Sequence, residues 1–417
     1  MQFYKTRGTQ NITTQTLYYV TCVHIQVISS LVYKHAMTEH SESKVQAKLH
    51  SSSSLITVLR KSTSESMGAM KLRWGICTAG MIANDFLVGL STLPREEHIV
   101  QAIAEARAVQ QAKDLAKTHG IAVVYERFED LAMDPDVDIV YIAAVNQMHL
   151  PLCKLFLNHG KHILCEKPLA LNENECRQIV DMAKEKGVFF MEGWWSRFFP
   201  AAAKLRELIT ERAIGEVRFM QCAMGFLTDF KDRLKKKEFG GGILLDNGIY
   251  PLSLALMVFG QRPVSCSGSG FLADSGVDET CMISMLFPNK AAASLSLSMV
   301  VALPNEVNIQ GTRGHIKIPT PFWVPTKLEV TTQSDVESPF KVKEKTETLE
   351  FPLPVSDLPQ NYPHAVGMSY EAEAVRQCIT RGDKECSLVR HEDSLYMAAL
   401  LEKLRHDLGY VLEGDAI

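Results

Sequence analysis

Apolar and polar positions alternate in two different ways along the chain, and the change falls near residue 192. Between residues 71 and 192, short apolar runs are separated by segments with helical periodicity; the runs are KLRWGICT, HIVQAIA, DIVYIAAV and HILC. The runs predict buried strands, and the segments between them predict amphipathic helices that end in glycine, such as VQQAKDLAKTHG and MHLPLCKLFLNHG. Alternating strands and helices form parallel sheets covered on both faces, so we expect an α/β Rossmann domain over residues 70–192.

Beyond residue 192 the pattern changes to strands with little helix between them. The strand candidates are VRFMQCAMGF, TCMISMLF, AASLSLSMVV and NEVNIQG. They predict an α+β domain over residues 193–417 with a large, predominantly antiparallel open sheet. One helix is predicted inside it, over residues 240–260. Two amphipathic helices near the C-terminus, GMSYEAEAVRQCITRG and HEDSLYMAALLEKLRHDLGYVL, are expected to pack back on the first domain.

Residues 1–69 carry neither pattern for long enough to build a core. They are rich in Ser and Thr and poor in acidic residues, which predicts a disordered or non-native extension, with Met70 as a natural start. A mitochondrial-type leader is the alternative, although arginine is scarce. The apolar stretch over residues 17–33 is interrupted by His24 and Gln26, and it falls short of the ~20 residues that a membrane span needs.

Composition narrows the class of protein. The 417 residues contain 44 Lys+Arg and 48 Asp+Glu, a net charge of −4, and 46% hydrophobic residues. This balance predicts a soluble protein with no nucleic-acid or membrane partner. Ten cysteines without CxxC spacing indicate reduced thiols in a cytoplasmic protein, and no metal site is predicted.

The turn after the first predicted strand fits the dinucleotide fingerprint G-x-G-x-x-G/A with one departure, because Thr78 stands where the first glycine is expected. Gly80 would allow the backbone to approach a pyrophosphate, and Ala83 would allow close packing of helix on strand. The helix that begins near Met81 and Ile82 would direct its positive end at the phosphates. We therefore predict a nucleotide cofactor here; an ordinary glycine turn is the alternative.

The ends of the second and fourth predicted strands carry further candidates for cofactor binding. Arg107 can pair with the 2′-phosphate of NADP, whereas Glu105 would suit the ribose of NAD. We predict NADP, with a solvated Arg107 as the alternative. Asn146 and His149 follow the fourth strand and would face the cofactor; a helix-capping Asn and a surface His are the alternatives.

Two motifs indicate the chemistry. Glu166, Lys167 and Pro168 follow the fifth strand as EKP, and the second domain contains GGGILLDNGIY. With these motifs the chain resembles the glucose–fructose oxidoreductase/inositol dehydrogenase (Gfo/Idh/MocA) family. Within it, LRWGI, RFFP, GIYPLSLALMVFG, FWVPTKL and GMSYEA are similar to the dimeric dihydrodiol dehydrogenase branch of animals. The resemblance covers roughly residues 70–410. It implies NADP-dependent oxidation of trans-dihydrodiols of aromatic hydrocarbons, or of D-xylose, by a homodimer joined through the open sheet face.

The chemistry of the residues agrees with that implication. Oxidation of a secondary alcohol requires a proton acceptor, and Tyr250 can serve if a nearby ammonium lowers its pKa. Lys167 is expected to do so beside the nicotinamide, held by Glu166, while Asp246 orients the substrate or the lysine. Asp246 and Tyr250, four residues apart, would share one helix face. The alternatives are a salt-bridged Lys167, an Asp246 that only complements the helix dipole, and a Tyr250 in the core.

A flat, apolar substrate would need aromatic walls, for which Trp195, Trp323 and Tyr362 are the candidates, although aromatic residues are more often plain core. Arg197 is expected either to contact the cofactor or to cap the domain junction. Two other functions remain open. One is oxidation of another sugar, an inositol or a tetrapyrrole by the same architecture, and the other is a non-catalytic NADP-binding sensor.

Overall fold

The computed structural model describes residues 70–228, 232–338 and 341–415. The predicted extension, residues 1–69, lies outside the described residues. Two sheets organise the rest: a six-stranded sheet in the first part of the chain, and an eight-stranded sheet in the second.

The first sheet is parallel throughout and has the strand order β3-β2-β1-β4-β5-β6. Its strands are Leu72–Cys77 (β1), His98–Ala104 (β2), Val123–Tyr125 (β3), Ile139–Ile142 (β4), His162–Glu166 (β5) and Phe190–Gly193 (β6). The order reverses between β1 and β4, and ligands of such sheets bind where the carboxyl ends of the strands diverge at this point. The predicted Rossmann domain is confirmed.

Helices cover both faces of this sheet, and its central strands are therefore buried on both sides. The helices are Met81–Leu90 (α1), Val109–His119 (α2), Phe128–Met133 (α3), His149–Asn158 (α4) and Glu173–Lys186 (α5). The glycines after α2 and α5, Gly120 and Gly187, adopt the left-handed conformation that ends a helix.

The second sheet has the order β14-β13-β12-β11-β7-β10-β9-β8. Its strands are Val217–Gly225 (β7), Ser265–Leu272 (β8), Asp278–Leu286 (β9), Ala292–Ser298 (β10), Glu306–Gly311 (β11), Gly314–Ile318 (β12), Lys327–Ser338 (β13) and Lys341–Glu350 (β14). Among the described strands of this sheet, β7 and β10 pair in parallel and the remaining pairs are antiparallel. The predominantly antiparallel sheet is therefore confirmed.

The helices of the second part are Pro200–Thr210 (α6), Ile243–Asn247 (α7), Ile249–Phe259 (α8), Met368–Arg381 (α9) and His391–Asp407 (α10). The single helix expected over residues 240–260 is wrong at its start, and it is divided at Gly248 into α7 and α8. Gly240 and Gly242 have positive φ angles of 64° and 102° and form a turn instead. The turn meets β9 closely: a Cβ on Gly242 would lie 2.0 Å from Oδ1 of Asp278.

The stretch Lys237–Phe259 is long and apolar enough to cross a membrane by length and composition alone. However, 72% of its most apolar window is buried inside the protein. That burial is what the central helix of a folded core requires.

The C-terminal helices return to the first domain, as predicted. Helix α9 contacts α1, and α10 contacts α5 and β6. The last described residues are fixed by Arg405, whose guanidinium makes two 2.8 Å bonds to the carboxylate of Asp415. Arg405 also donates to the carbonyl of Leu171, in the segment between Lys167 and α5.

One face of the eight-stranded sheet remains open. Along β9 the exposed side chains alternate with buried ones, and Met282 is 59% exposed. The neighbouring Phe271 on β8 is 72% exposed. Exposed apolar side chains grouped on one sheet face commonly mark a contact surface.

Candidate active site

Lys167 lies where the two domains meet, directly after β5. Its Nζ donates to the backbone carbonyl of Asp246 at 2.8 Å and lies 5.1 Å from the ring centre of Tyr250. Burial lowers the pKa of Lys167, but the charges of Tyr250, Asp246 and Glu166 raise it, and the net direction is upward. The ammonium therefore stays charged beside the phenol.

Tyr250 lies near the start of α8 and is 9% exposed. Its hydroxyl accepts a hydrogen bond from Nε1 of Trp195 at 3.1 Å. Burial raises the pKa of Tyr250, and Lys167 and Trp195 lower it, but the net direction is upward. The expectation of a phenol with a lowered pKa is therefore wrong for this state of the protein, because burial outweighs the lysine.

Asp246 and Tyr250 both lie beside Lys167, although they belong to the successive helices α7 and α8 and not to one helix. Helix α7 is positioned by β9, because the Asp278 carboxylate accepts the backbone N–H of Leu244 at 2.7 Å. Burial raises the pKa of Asp278 to about 7. The lysine bonds to the backbone of Asp246, and the carboxylate of Asp246 has a different contact.

That contact is Arg233, which sequence reasoning missed. Nη2 of Arg233 donates to Oδ1 of Asp246 at 2.6 Å. Burial lowers the pKa of Arg233, but Asp246 raises it, and the net direction is upward. Arg233 lies in the stretch DRLKKKEF, which has the composition of a charged surface loop. No local pattern in such a stretch distinguishes one of its cations from another.

Glu166 lies inside the first domain, where it contacts the backbone of Lys167, and it does not face the edge of the sheet at which a cofactor would bind. The carboxylate is 5% exposed; Oε1 accepts the Tyr141 hydroxyl at 2.6 Å, and Oε2 accepts the backbone N–H of Lys167 at 3.2 Å. Burial raises the pKa of Glu166. The structure therefore does not bring Glu166 to a cofactor directly.

The first turn of α1 has the features of an anion-binding helix end. Gly80 precedes the helix, no side chain caps it, and its first turn contains no acidic residue. A Cβ on Gly80 would meet nothing nearer than the Ala143 carbonyl, at 3.9 Å. Met81 is exposed and Ile82 is half-buried, and the Thr78 hydroxyl donates to the Ala143 carbonyl at 3.2 Å. This open helix end fits the pyrophosphate of a dinucleotide.

Glu105 and Arg107, at the end of β2, differ sharply in environment. The Glu105 carboxylate accepts the backbone N–H groups of Ala79, Arg107 and Ala108 at 3.2, 2.9 and 3.3 Å. It therefore ties the turn after β1 to the turn after β2. The Arg107 side chain is exposed at the same edge.

Asn146 and His149 also differ in their hydrogen-bond partners. Asn146 is 7% exposed, and its Nδ2 has no hydrogen-bond partner among the described residues, as expected where a ligand completes the site. His149 is fully buried, with Nδ1 2.9 Å from the Pro168 carbonyl and Nε2 3.0 Å from that of Ala144. The expectation that His149 faces the cofactor is therefore wrong; it joins the end of β4 to the loop after Lys167.

The predicted aromatic walls lie around Tyr250. Trp195 is buried against its hydroxyl, and Trp323 and Tyr250 line one small cavity. Tyr362 is half-buried within electrostatic range of Asp246 and Lys167. Trp195 and Trp323 therefore lie near the phenol, and Tyr362 lies near the lysine.

Of the two roles expected for Arg197, the structure fits the one at the domain junction. Its Nη1 donates to the Leu388 carbonyl at 2.7 Å and its Nη2 to that of Ser253 at 3.3 Å, while the guanidinium lies over Trp194. Burial lowers the pKa of Arg197 to about 10. These bonds hold α8 to the segment that precedes α10 and do not direct Arg197 at the cofactor edge.

A parallel sheet with an open helix end at its switch point, and a lysine beside a phenol where the two domains meet, fit the class of nucleotide-dependent oxidoreductases. The family model described as "Oxidoreductase family, NAD-binding Rossmann fold" matches residues 72–194, and "GFO/IDH/MocA C-terminal domain" matches residues 202–317. The chain belongs to the GFO/IDH/MocA oxidoreductase family and is a nicotinamide-dependent oxidoreductase. The family predicted from EKP and GGGILLDNGIY is confirmed.

Several individual proteins are similar in sequence or in structure to this chain. The chain is 41% identical to the trans-1,2-dihydrobenzene-1,2-diol dehydrogenase of Xenopus tropicalis, over 82% of this chain and 99% of the relative. It is 40% identical to the enzyme of the same name from Danio rerio, over 83% and 100%. Among solved structures, the aldose-aldose oxidoreductase of Caulobacter crescentus has a TM-score of 0.68 at 24% identity, covering 81% of this chain and 97% of that one. The last likeness concerns the fold alone.

Proposed function

We propose that the chain oxidises trans-dihydrodiols of aromatic hydrocarbons to catechols, and D-xylose to D-xylonolactone, with NADP as the hydride acceptor. The meeting of Lys167 and Tyr250 at the nucleotide-binding edge carries the proposal. The diol substrate is suggested by the relatives named trans-1,2-dihydrobenzene-1,2-diol dehydrogenase. The pentose and the homodimer are suggested by the family resemblance.

In the proposed reaction the carbinol carbon of the substrate loses a hydride and its hydroxyl loses a proton, leaving a carbonyl group. The oxidised nicotinamide ring supplies the acceptor for the hydride. The Tyr250 oxygen accepts the proton, and the Lys167 ammonium stabilises negative charge on both oxygens as it develops. The ring ketone formed from a dihydrodiol becomes a catechol by tautomerisation, and oxidation of a pyranose at C1 yields the lactone.

Each domain has its part in this proposal. Residues 70–192 bind NADP, through the open start of α1 and Asn146, and Arg107 pairs with the 2′-phosphate. That pairing is favoured because Arg107 is exposed at this edge, whereas the Glu105 carboxylate is already engaged by backbone N–H groups and is less available to bind the ribose hydroxyls of NAD. Residues 193–417 bind the substrate and form a homodimer through the open sheet face, where Phe271 and Met282 are exposed. We place the enzyme in the cytoplasm.

A second candidate substrate is another polyol, such as a different sugar or an inositol. The ion pair between Arg233 and Asp246 beside Lys167 favours it, because charged groups hydrogen-bond hydroxyls well. The aromatic side chains of Trp195, Trp323 and Tyr362 favour the dihydrodiol instead.

One screen tests these alternatives. The purified chain is mixed with NADP+ or NAD+ and with dihydrodiols, pentoses, inositols or no substrate, and reduced cofactor is measured by absorbance. Lys167→Met serves as the matched inactive variant. We expect turnover with the dihydrodiols and D-xylose and a preference for NADP+. Turnover of inositol alone would support the second candidate, and a chain that binds NADPH but oxidises none of these compounds would contradict the proposed function.

A further inference from the structure

We propose that Arg233 and Asp246 together bind the hydroxyl next to the reacting carbinol, so that the site selects vicinal diols. This inference rests on the proposed function and extends it. It assigns a role in specificity to Arg233, and it gives one chemical reason why the same site accepts an aromatic dihydrodiol and a pentose.

The polar groups of the site form a continuous series. The Tyr250 phenol lies beside Lys167, and Lys167 bonds to the backbone carbonyl of Asp246 at 2.8 Å. The Asp246 carboxylate is bonded to Arg233 at 2.6 Å. A substrate whose reacting hydroxyl reaches Tyr250 and Lys167 therefore has the carboxylate and the guanidinium next in line.

The arginine is the more accessible member of the pair. The Arg233 side chain is 38% exposed and that of Asp246 is 10% exposed. A guanidinium has five N–H donors in one plane, so the bond to Asp246 engages only part of its capacity. The carboxylate holds the guanidinium in place, and an incoming hydroxyl meets a donor that is already oriented.

A hydroxyl group suits this pair because it both donates and accepts. It can donate to the Asp246 carboxylate and accept from the Arg233 guanidinium at the same time. A trans-dihydrodiol and the C1–C2 unit of a pentopyranose share one element: a hydroxyl on the carbon adjacent to the reacting carbon. A substrate that lacks this hydroxyl forms neither of these two hydrogen bonds, and sites built to hydrogen-bond a substrate hydroxyl discriminate strongly against analogues without it.

The competing explanation is that Arg233 acts only through Asp246, by holding α7 and hence Lys167 in place. A positioning role predicts the same loss for every substrate, because the reacting groups are common to all of them. Binding of the adjacent hydroxyl predicts a loss confined to substrates that have it. Comparison of matched substrates therefore separates the two roles.

The experiment measures kcat/KM for D-xylose and for 2-deoxy-D-xylose, which lacks the hydroxyl next to the reacting carbon. Wild-type chain, Arg233→Met and Arg233→Lys are compared, with Arg262→Met as the control because Arg262 forms an exposed ion pair with Glu392 away from the site. Where turnover of the deoxypentose is too slow to measure, its inhibition constant against D-xylose oxidation replaces it. NADPH affinity and melting temperature confirm that each variant is folded.

We expect Arg233→Met to lower kcat/KM for D-xylose by about tenfold to a hundredfold, and to lower that for the deoxypentose much less. Arg233→Lys should recover part of the preference, and Arg262→Met should keep all of it. Equal losses for the two pentoses in a folded variant would overturn the inference and leave Arg233 as a positioning residue. A wild-type chain that oxidises neither pentose nor dihydrodiol would instead contradict the proposed function, so the two failures are distinguishable.

Discussion

At the scale of single residues, the environment of Tyr250 decides how the site works. Lys167 and Trp195 both favour the phenolate, and burial opposes them and prevails. At neutral pH the phenol is therefore largely protonated, which in the proposed mechanism is the form that acts as the acid in carbonyl reduction. Alcohol oxidation needs the phenolate, so we expect its rate to rise as the pH becomes alkaline.

Lys167→Met and Tyr250→Phe should each reduce kcat by about 10²- to 10⁴-fold, because each removes a group that handles the proton or the oxyanion in the transition state. Steady-state turnover with D-xylose and fluorescence titration with NADPH measure the two effects separately. NADPH affinity should remain close to that of the wild type. Near-normal turnover in either variant would disprove the assigned roles.

Trp195→Phe removes the hydrogen bond that Nε1 donates to the Tyr250 oxygen. Because this bond favours the charged phenolate, its loss raises the pKa of Tyr250. The rising limb of the pH profile of kcat/KM should therefore move to higher pH. Trp194→Phe is a suitable control, since that ring lies against Arg197 and not against Tyr250. An unmoved limb would show that a different group titrates.

Arg107→Ala should reduce the expected preference for NADP over NAD by about tenfold to a hundredfold, because the proposed bidentate ion pair with the 2′-phosphate is lost. The ratio of kcat/KM values for the two cofactors measures it. The NAD value should stay nearly constant, since Arg107 is exposed and its backbone contact with Glu105 is kept. An unchanged ratio would disprove the assignment.

Sequence reasoning identified residue types at the site better than it identified their partners. Lys167, Asp246 and Tyr250 were predictable because Lys167 follows a strand end and the other two are four residues apart. Glu105 was not: its three backbone hydrogen bonds connect two turns and leave no trace in its own sequence. Burial of His149 and the pairing of Arg233 with Asp246 likewise depend on contacts distant along the chain.

At the scale of elements, α7 is placed by a strand of its own domain. Asp278 on β9 accepts the Leu244 N–H at the first turn of α7, and the Gly242 backbone leaves no space for a side chain there. Burial raises the pKa of Asp278 from 3.8 to about 7. The folded protein therefore binds a proton at Asp278 over a pH range in which the unfolded chain does not.

Because the pKa of Asp278 is higher in the folded protein than in the unfolded chain, the stability of the protein should fall as the pH rises between these two values. The contribution of protonated Asp278 is complete below its unfolded pKa of 3.8 and is lost as the pH rises towards its folded pKa of about 7. Asp278→Asn removes this titration with little change in shape. Between pH 5 and pH 8, the free energy of unfolding of the wild type should therefore fall relative to that of the variant, on the order of 2 kcal/mol. Urea denaturation at the two pH values measures it, and parallel curves would contradict it.

The two edge strands of the large sheet, β8 and β14, were not predicted from the sequence, because neither has a clear apolar alternation. Strand β8, SCSGSGFL, is mostly small and polar and lies at the sheet edge, so it lacks the apolar alternation that identifies a strand. Strand β14, KVKEKTETLE, is charged along its length at the opposite edge. Edge strands are often protected by such residues. The central strands β7, β9, β10 and β11 were predictable because their alternation is clear.

At the scale of the whole molecule, the open sheet face is the place where a second copy is expected. Phe271→Lys combined with Met282→Lys places two charges on that face and should convert the proposed dimer to a monomer, because burying unpaired cations in an interface is unfavourable. Light scattering after size-exclusion chromatography measures the mass. Val355→Lys, at an 89% exposed position outside the sheet, should leave the dimer intact. A wild-type chain that is already monomeric would disprove the proposed interface.

Helix α10 returns to α5, and Arg405 bonds to Leu171 and Asp415. This arrangement limits how the two domains can be exchanged with those of other proteins. The polypeptide that builds the large sheet is an insertion between two parts of one nucleotide-binding body, not a module appended to its end. A chimera that grafts a foreign sheet onto this scaffold must therefore be spliced at two junctions, one near residue 195 and one between β14 and α9, because α9 packs on α1 as α10 packs on α5. A single crossover would leave α5 without its covering helix.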